Sequence, residues 1–143
     1  MSSPAGGLGM AAEDALSWIQ RHSPVEVKCG AGTCAAAGAA ARRRGARHVF
    51  LVTDQGVRKA GHADRVLAGL QDVGLEATLF DEVAENPHTG HVAAGVKAAR
   101  EAGGNATAID WIVAVGGGSA MDCAKGVNLL LTPALHVEFS RLG

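Results

Sequence analysis

The sequence predicts an α/β fold, a parallel sheet with helices on both faces, and three observations predict it. Short runs rich in β-branched and other apolar residues, at residues 48–53, 75–80 and 112–115, alternate with segments whose apolar residues recur at helical spacing. These units return at intervals of about thirty residues, which argues for parallel strands joined by right-handed crossovers. The third run opens directly into Gly116-Gly117-Gly118-Ser119, a strand–glycine turn–helix arrangement.

In chain order, residues 1–9 contain Ser, Pro, Gly and Ala with little to bury and are expected to be disordered. Ala11, Ala15, Trp18 and Ile19 follow helical spacing and predict a short amphipathic helix ending near His22. Val25-Glu26-Val27-Lys28 alternates as a half-exposed strand, and Gly30 and Gly32 then turn the chain. An Ala-rich helix is expected from about Thr33, its N-cap, to Arg44. Residues 48–53 read as a buried strand with Asp54 at its carboxyl end, where a turn-forming Asp before Gln55-Gly56 is the plain alternative. Ala63, Val66, Leu67, Leu70 and Val73 share one face of the next helix, which Gly74 stops. A strand at 75–80 and a polar loop at 81–87 follow, and then a helix over 89–102 with Val92, Val96 and Ala99 inward. Asn86, preceding Pro87, is expected in extended geometry at the entry of that helix. Residues 112–115 then read as the central, buried strand.

The glycine turn after that strand builds a phosphate site. Glycine lets backbone approach a ligand closely, and the first free N–H groups of the helix point at it with the positive end of the dipole. Ser119 and Asp122 form a shortened capping box that marks the helix start. The alternative is a tight turn closing an ordinary strand–helix unit. A P-loop is excluded, because Lys125 follows Ala124 inside the helix. The Rossmann fingerprint fits in part: Gly116 and Gly118 take its first two glycine places, but Met121 stands at the third. Asp54, Asn86 and residues 116–119 all follow strands, and ligands of such sheets gather at the carboxyl ends.

The 143 residues suffice for one domain with a substantial core, and the absence of Tyr among 48% apolar residues points to small side chains and close helix–sheet contacts. A net charge of −1 offers no basic footprint for nucleic acid; Arg42-Arg43-Arg44 reads as a solvated helix end. No apolar span or leader of membrane or secretory type is evident. The three cysteines, Cys29, Cys34 and Cys123, form no framework and are expected as free thiols in a reducing cytoplasm. His88 and His91 have a spacing that can bind metal, but no third ligand is evident and solvated surface is the expectation.

The string Gly116-Gly-Gly-Ser119-x-x-Asp122-x-Ala124-Lys125 closely resembles the glycine signature of the iron-dependent alcohol dehydrogenases. Val52-Thr53-Asp54, Glu85-Asn86-Pro87 and Val127-Asn128 through Thr132 stand in that family's order, so the resemblance covers roughly residues 25–132. It implies a Rossmann-like domain of the dehydroquinate synthase type. The implied reaction is hydride transfer between a primary or secondary alcohol and NAD(P), with a metal polarising the alcohol oxygen. Glycerol dehydrogenase and dehydroquinate synthase share the fold but match the ten-residue string less well.

By this resemblance the cofactor-binding residues are Asp54, Asn86, Gly116, Gly117, Gly118, Ser119 and Asp122. Gly117, Gly118 and Ser119 would hold the diphosphate, and Asp54 would accept both ribose hydroxyls and repel a 2′-phosphate, favouring NAD over NADP. The matching Asn lies near the cofactor in the family. Asp122, repelled by a diphosphate, would face the helix N-terminus or the nicotinamide-side ribose. Lys125, a turn further on, is not expected to reach phosphate. The Fe2+ or Zn2+ ligands of the family, an Asp and three His, belong to a helical second domain and match nothing here, so no catalytic or metal residue is assigned.

The expected organisation is therefore a flexible start with a short helix (1–24), an NAD(P)-binding domain (25–132) and a non-family tail (133–143). The tail points to a truncated or frameshifted chain, or to an isolated module. The partners implied are a dinucleotide and, with a second domain, a small alcohol or aldehyde, but neither nucleic acid nor membrane. A non-catalytic nucleotide-binding or regulatory module is the competing function. Ala120, Ala124, Val127 and Leu131 share the inner face of the last helix, leaving Leu129 and Leu130 turned elsewhere. Self-association through that surplus is expected unless the alternating Leu135, Val137 and Phe139 cover it.

Overall fold

The computed structural model describes residues 30–86, 88–103 and 108–131, together with Ser17, Arg21 and Lys28. The chain divides into two compact units, Met1–Thr33 and Cys34–Gly143. In the first, the Arg21 guanidinium donates to the Ser17 hydroxyl one helical turn back. The rest of the helix expected before His22, the strand at 25–28 save Lys28, and the tail at 133–143 lie outside the described residues.

Among the described residues the second unit holds three parallel strands, β1 (His48–Val52), β2 (Glu76–Phe80) and β3 (Trp111–Ala114), in the order β2-β1-β3. A 3-10 turn at Thr33–Ala36 leads into α1 (Ala37–Arg43). The other helices are α2 (Gln55–Lys59), α3 (His62–Asp72), α4 (Thr89–Gly103) and α5 (Gly118–Leu131). All of β1 is buried, as its unbroken apolar run requires of a strand covered on both faces. Phe50 and Val52 pack with α4 and α5 through Val96, Ala99, Cys123 and Val127. Val49 and Leu51 pack with α1 and α3 through Ala41, Ala63, Val66 and Leu70. The expected parallel sheet with helices on both faces is thus observed.

Three local expectations are corrected. Among the described residues β1 is the central strand, and the run before the glycine turn, β3, lies at an edge with every residue half-buried. Apolar content alone does not distinguish a strand covered on both faces from one that forms a border. Thr33 does not cap the Ala-rich helix, because its hydroxyl donates to the Gly30 carbonyl at 2.9 Å and the helix starts as a 3-10 turn. The turn expected at Asp54 before Gln55-Gly56 is the start of a helix, α2, whose N-cap is Asp54.

At the amino ends of the strands Asp110 clasps β1 to β3. Its carboxylate accepts the backbone N–H groups of Arg47 (3.1 and 3.0 Å) and His48 (3.0 Å). The Arg47 Nε stands 3.7 Å away. Burial by itself would raise the Asp110 carboxyl, but the two backbone donors and the guanidinium outweigh it and hold the group below its ordinary 3.8. A lowered folded value means stability that is present above pH 3.8 and lost as pH falls through the folded pKa. Asp110→Asn is expected to cost roughly 1 kcal/mol at neutral pH, a figure kept small by solvent at the site. Urea unfolding at pH 7 and in acid would show the gap between wild type and variant closing in acid.

No helix among the described residues is long and apolar enough to cross a membrane.

Candidate functional site

The carboxyl ends of the strands are tied together by Thr53. It is fully buried; its hydroxyl donates to the Val115 carbonyl at 2.7 Å and its N–H to the Phe80 carbonyl at 2.9 Å. One residue therefore fixes where all three strands end, and so where Asp54, Asp81 and Gly116 emerge. Beyond the parallel ladder Asp54 and Glu82 form an isolated antiparallel bridge that keeps the two loops together.

Asp54 leaves β1 in extended geometry, and its Oδ1 accepts the Val57 N–H at 2.8 Å to cap α2. Gly116 packs directly against this corner. A Cβ there would lie 3.5 Å from Asp54 Oδ2 and Val57 Cγ2 and 3.2 Å from the Ala120 Cβ, and the φ of 145° strains any other residue. Gly116 thus serves close approach of the two loops. At Gly117 and Gly118 an added Cβ would meet nothing within 4 Å, so the backbone is laid open to the cleft.

The helix α5 begins at Gly118, with the Met121 N–H reaching the Gly117 carbonyl at 3.2 Å. Its first amides have no intrahelical acceptors and present the positive end of the dipole. The expected capping box is not formed. Ser119 lies inside the first turn, and among the described residues neither its hydroxyl nor the Asp122 carboxylate makes a hydrogen bond. The open cleft between these features measures about 610 Å³ and is lined by residues 54–56, 81–85 and 117–119.

Of the residues expected at the site, Asp54, Gly117, Gly118 and Ser119 line the cleft, and Gly116 braces it from behind. Asn86 and Asp122 do not line it. Asn86 is not extended either: its φ of 50° is left-handed, a conformation Asn tolerates better than other side chains. Asp122 is exposed on α5, because its position in the helical turn carries it away from the amide end.

The acidic wall formed by Asp81, Glu82 and Glu85 was not anticipated. Asp81 follows β2 just as Asp54 follows β1, and the same strand-end rule picks it out. Arg58 of α2 pairs with Asp81 at 2.6 Å. The cleft therefore has one end suited to an anion and a wall that favours neutral hydroxyls over further negative charge.

His88 and His91 are in ring contact, centroids 4.0 Å apart. The His91 Nδ1 accepts the His88 N–H and the His88 Nδ1 accepts the Gly90 N–H, so both act in the local entry to α4. Among the described residues no group of three or more His, Cys, Asp or Glu could hold a metal ion. Cys123 is fully buried, which pushes its thiol up, and Cys34 is exposed; both are free.

The profile of the family described as iron-containing alcohol dehydrogenase matches residues 24–141. The chain is 44% identical over 90 residues to the 4-hydroxybutyrate dehydrogenase of Cupriavidus necator, spanning 63% of this chain and 22% of that one. It is 34% identical over 125 residues to the choline dehydrogenase of Bacillus subtilis, spanning 87% of this chain and 30% of that one. Among solved structures it resembles a 1,3-propanediol oxidoreductase (TM-score 0.66, 36% identity, 72% of this chain and 26% of that one). It also resembles the NADH-dependent butanol dehydrogenase A of Thermotoga maritima (TM-score 0.69, 29% identity, 78% and 27%). The chain spans less than a third of the length of each of these relatives. With a profile matched over most of its length and a fold shared with these dehydrogenases, the chain belongs to the iron-containing alcohol dehydrogenase family.

Proposed function

We propose that this chain is the dinucleotide-binding portion of an NAD-dependent alcohol dehydrogenase, with residues 25–132 as the binding domain. The observation that carries the reading is the meeting, in one cleft, of the Asp54 carboxylate with the open amide end of α5 at residues 117–119. In this reading Gly117, Gly118 and Ser119 hold the diphosphate, and Asp54 Oδ2, left over from capping α2, accepts a ribose hydroxyl. The acidic wall opposes a 2′-phosphate and so favours NAD, the form used by the NADH-dependent relative. When bound, the nicotinamide accepts or returns the hydride; this chain's own residues bind and orient it.

The described residues do not fit the family's iron, so no step is routed through a metal here. The relatives named for 4-hydroxybutyrate and 1,3-propanediol suggest a small alcohol or its aldehyde as the substrate of the completed enzyme. The odd cysteine count supports a reducing cytoplasm as its compartment.

Calorimetric titration with NAD and NADP tests the cofactor. Asp54→Asn preserves the cap of α2 while removing the charge, so the fold is retained and the preference for NAD is expected to narrow by about tenfold. Equal affinities in the unmodified protein would remove the role of Asp54. The chain alone is expected to hold no stoichiometric iron and to turn over no alcohol at saturating NAD. Metal analysis beside that assay decides the point, and turnover with bound metal would contradict it.

A further inference from the structure

Four carboxylates, Asp54, Asp81, Glu82 and Glu85, line the cleft, and among the described residues no basic side chain does. One guanidinium nevertheless stands at its rim. Arg58 lies one helical turn past Asp54, its N–H on the Asp54 carbonyl at 3.0 Å. From there its side chain reaches from the helix after β1 to the loop after β2, where Nη1 donates to Asp81 Oδ2 at 2.6 Å. We propose that Asp81 is a second determinant of cofactor preference: it holds Arg58 in a neutral pair at the rim and so withholds that cation from the 2′-phosphate of NADP. This rests on the dinucleotide-binding function proposed above and adds to it a residue that acts through Arg58.

The chemistry of the two cofactors makes the pair matter. A phosphate monoester carries about −1.5 to −2 charges at pH 7, and a planar guanidinium suits its oxygens because parallel N–H donors meet them in pairs. Rossmann-type sheets accept NADP where an arginine near the ribose accommodates the 2′-phosphate. Here Asp54 Oδ2 takes a ribose hydroxyl in the proposed function, and Arg58 is one turn further along α2. A free Arg58 would offset part of the repulsion between Asp54 and a 2′-phosphate. Held by Asp81, it adds no net charge, and its Nη1 donor is spent on a carboxylate of the cleft wall itself. Asp54 repels the phosphate directly, and Asp81 denies it the compensating cation.

The strand ends do not depend on this pair. The β1–β2 ladder and the Thr53 hydrogen bonds to Val115 and Phe80 already fix where the loops emerge. The Arg58 side chain is 48% exposed and that of Asp81 23%, so water screens the pair and it contributes little to folding. Its charge acts on what enters the cleft.

The test measures NAD and NADP affinities by calorimetry, at one ionic strength, for the unmodified full chain, Asp81→Asn, Arg58→Gln and the double variant. Asparagine keeps the shape of Asp81 and removes its charge. Asp81→Asn is expected to raise NADP affinity by about tenfold and to change NAD affinity by less than about threefold. In that background Arg58→Gln should abolish the gain, whereas alone it should alter NADP affinity by less than about threefold. Simple addition of charges would instead give Arg58→Gln the same loss with or without Asp81. Equal losses in the two backgrounds, or a gain that survives Arg58→Gln, would overturn the proposal. NAD binding by all four proteins with an unchanged preference against NADP would overturn it while leaving the dinucleotide site standing. An unmodified chain that binds no NAD would remove that site, and this role of Asp81 with it.

Discussion

Gly38→Ala is expected to destabilise the domain by about 2 kcal/mol, lowering the unfolding midpoint by roughly 10 °C. Two effects of opposite sign compete. Alanine in a helix interior is favoured over glycine by about 1 kcal/mol, which would stabilise α1. The Cβ added at Gly38, however, would lie 2.3 Å from the backbone carbonyl oxygen of Gly69 and 2.8 Å from its carbon, where α1 crosses α3. Backbone atoms inside a helix cannot turn aside, so the helices must separate, and the contacts of Ala41, Val66 and Leu70 with β1 loosen together. Overpacking of this kind costs about 1–3 kcal/mol and occasionally more, so the clash exceeds the helix gain. Gly126→Ala is the control. Its Cβ would meet the Val92 side chain, its methyls at 3.0 and 3.1 Å, a crowding of a few tenths of an ångström against a side chain rather than backbone, which offsets the helix gain so that near-neutral stability is expected. Thermal unfolding of the two variants beside wild type settles the comparison; a Gly38→Ala protein as stable as wild type would mean that the helices do not cross this closely.

Gly117→Asp is expected to leave the fold intact and to weaken dinucleotide binding by at least about tenfold. The position lacks positive φ, and an added side chain meets open space, so the backbone tolerates the change. The new carboxylate would enter the cleft beside the amide end of α5, where the diphosphate is proposed to sit. Two unit charges about 5 Å apart at an effective dielectric near 20 repel by roughly 3 kcal/mol before screening, more than the roughly 0.3–1 kcal/mol a helix terminus usually contributes. Binding should therefore fall while the unfolding midpoint stays put. Calorimetry with NAD alongside a melting curve separates the two effects. Unchanged affinity would move the diphosphate away from residues 117–119 and with it the proposed orientation of the cofactor.

What the sequence determined by itself was local. The period of apolar residues distinguishes strands from helices in the second unit, and Gly74 and Gly116 take positive φ where turns are needed. Strand-end position alone placed Asp54 and residues 117–119 on one rim, where the cleft is found. Tertiary structure decided everything that depends on which strands are neighbours. Among the described residues the order β2-β1-β3 makes β1 central and β3 a border, although both read as short apolar runs, because a strand's burial depends on what covers it. The acidic wall faces Asp54 only because β2 pairs with β1, and Asp110 clasps Arg47 and His48 across 63 and 62 residues of chain. The exposure of Asp122 follows from the packing of α5 through Ala120, Cys123, Ala124 and Val127, which turns the face carrying Met121, Asp122 and Lys125 to solvent. Gly38 looks like a mere weakness in an Ala-rich helix until α3 is laid across it; its reason is a distance between backbones distant in sequence, to which the sequence offers no local clue.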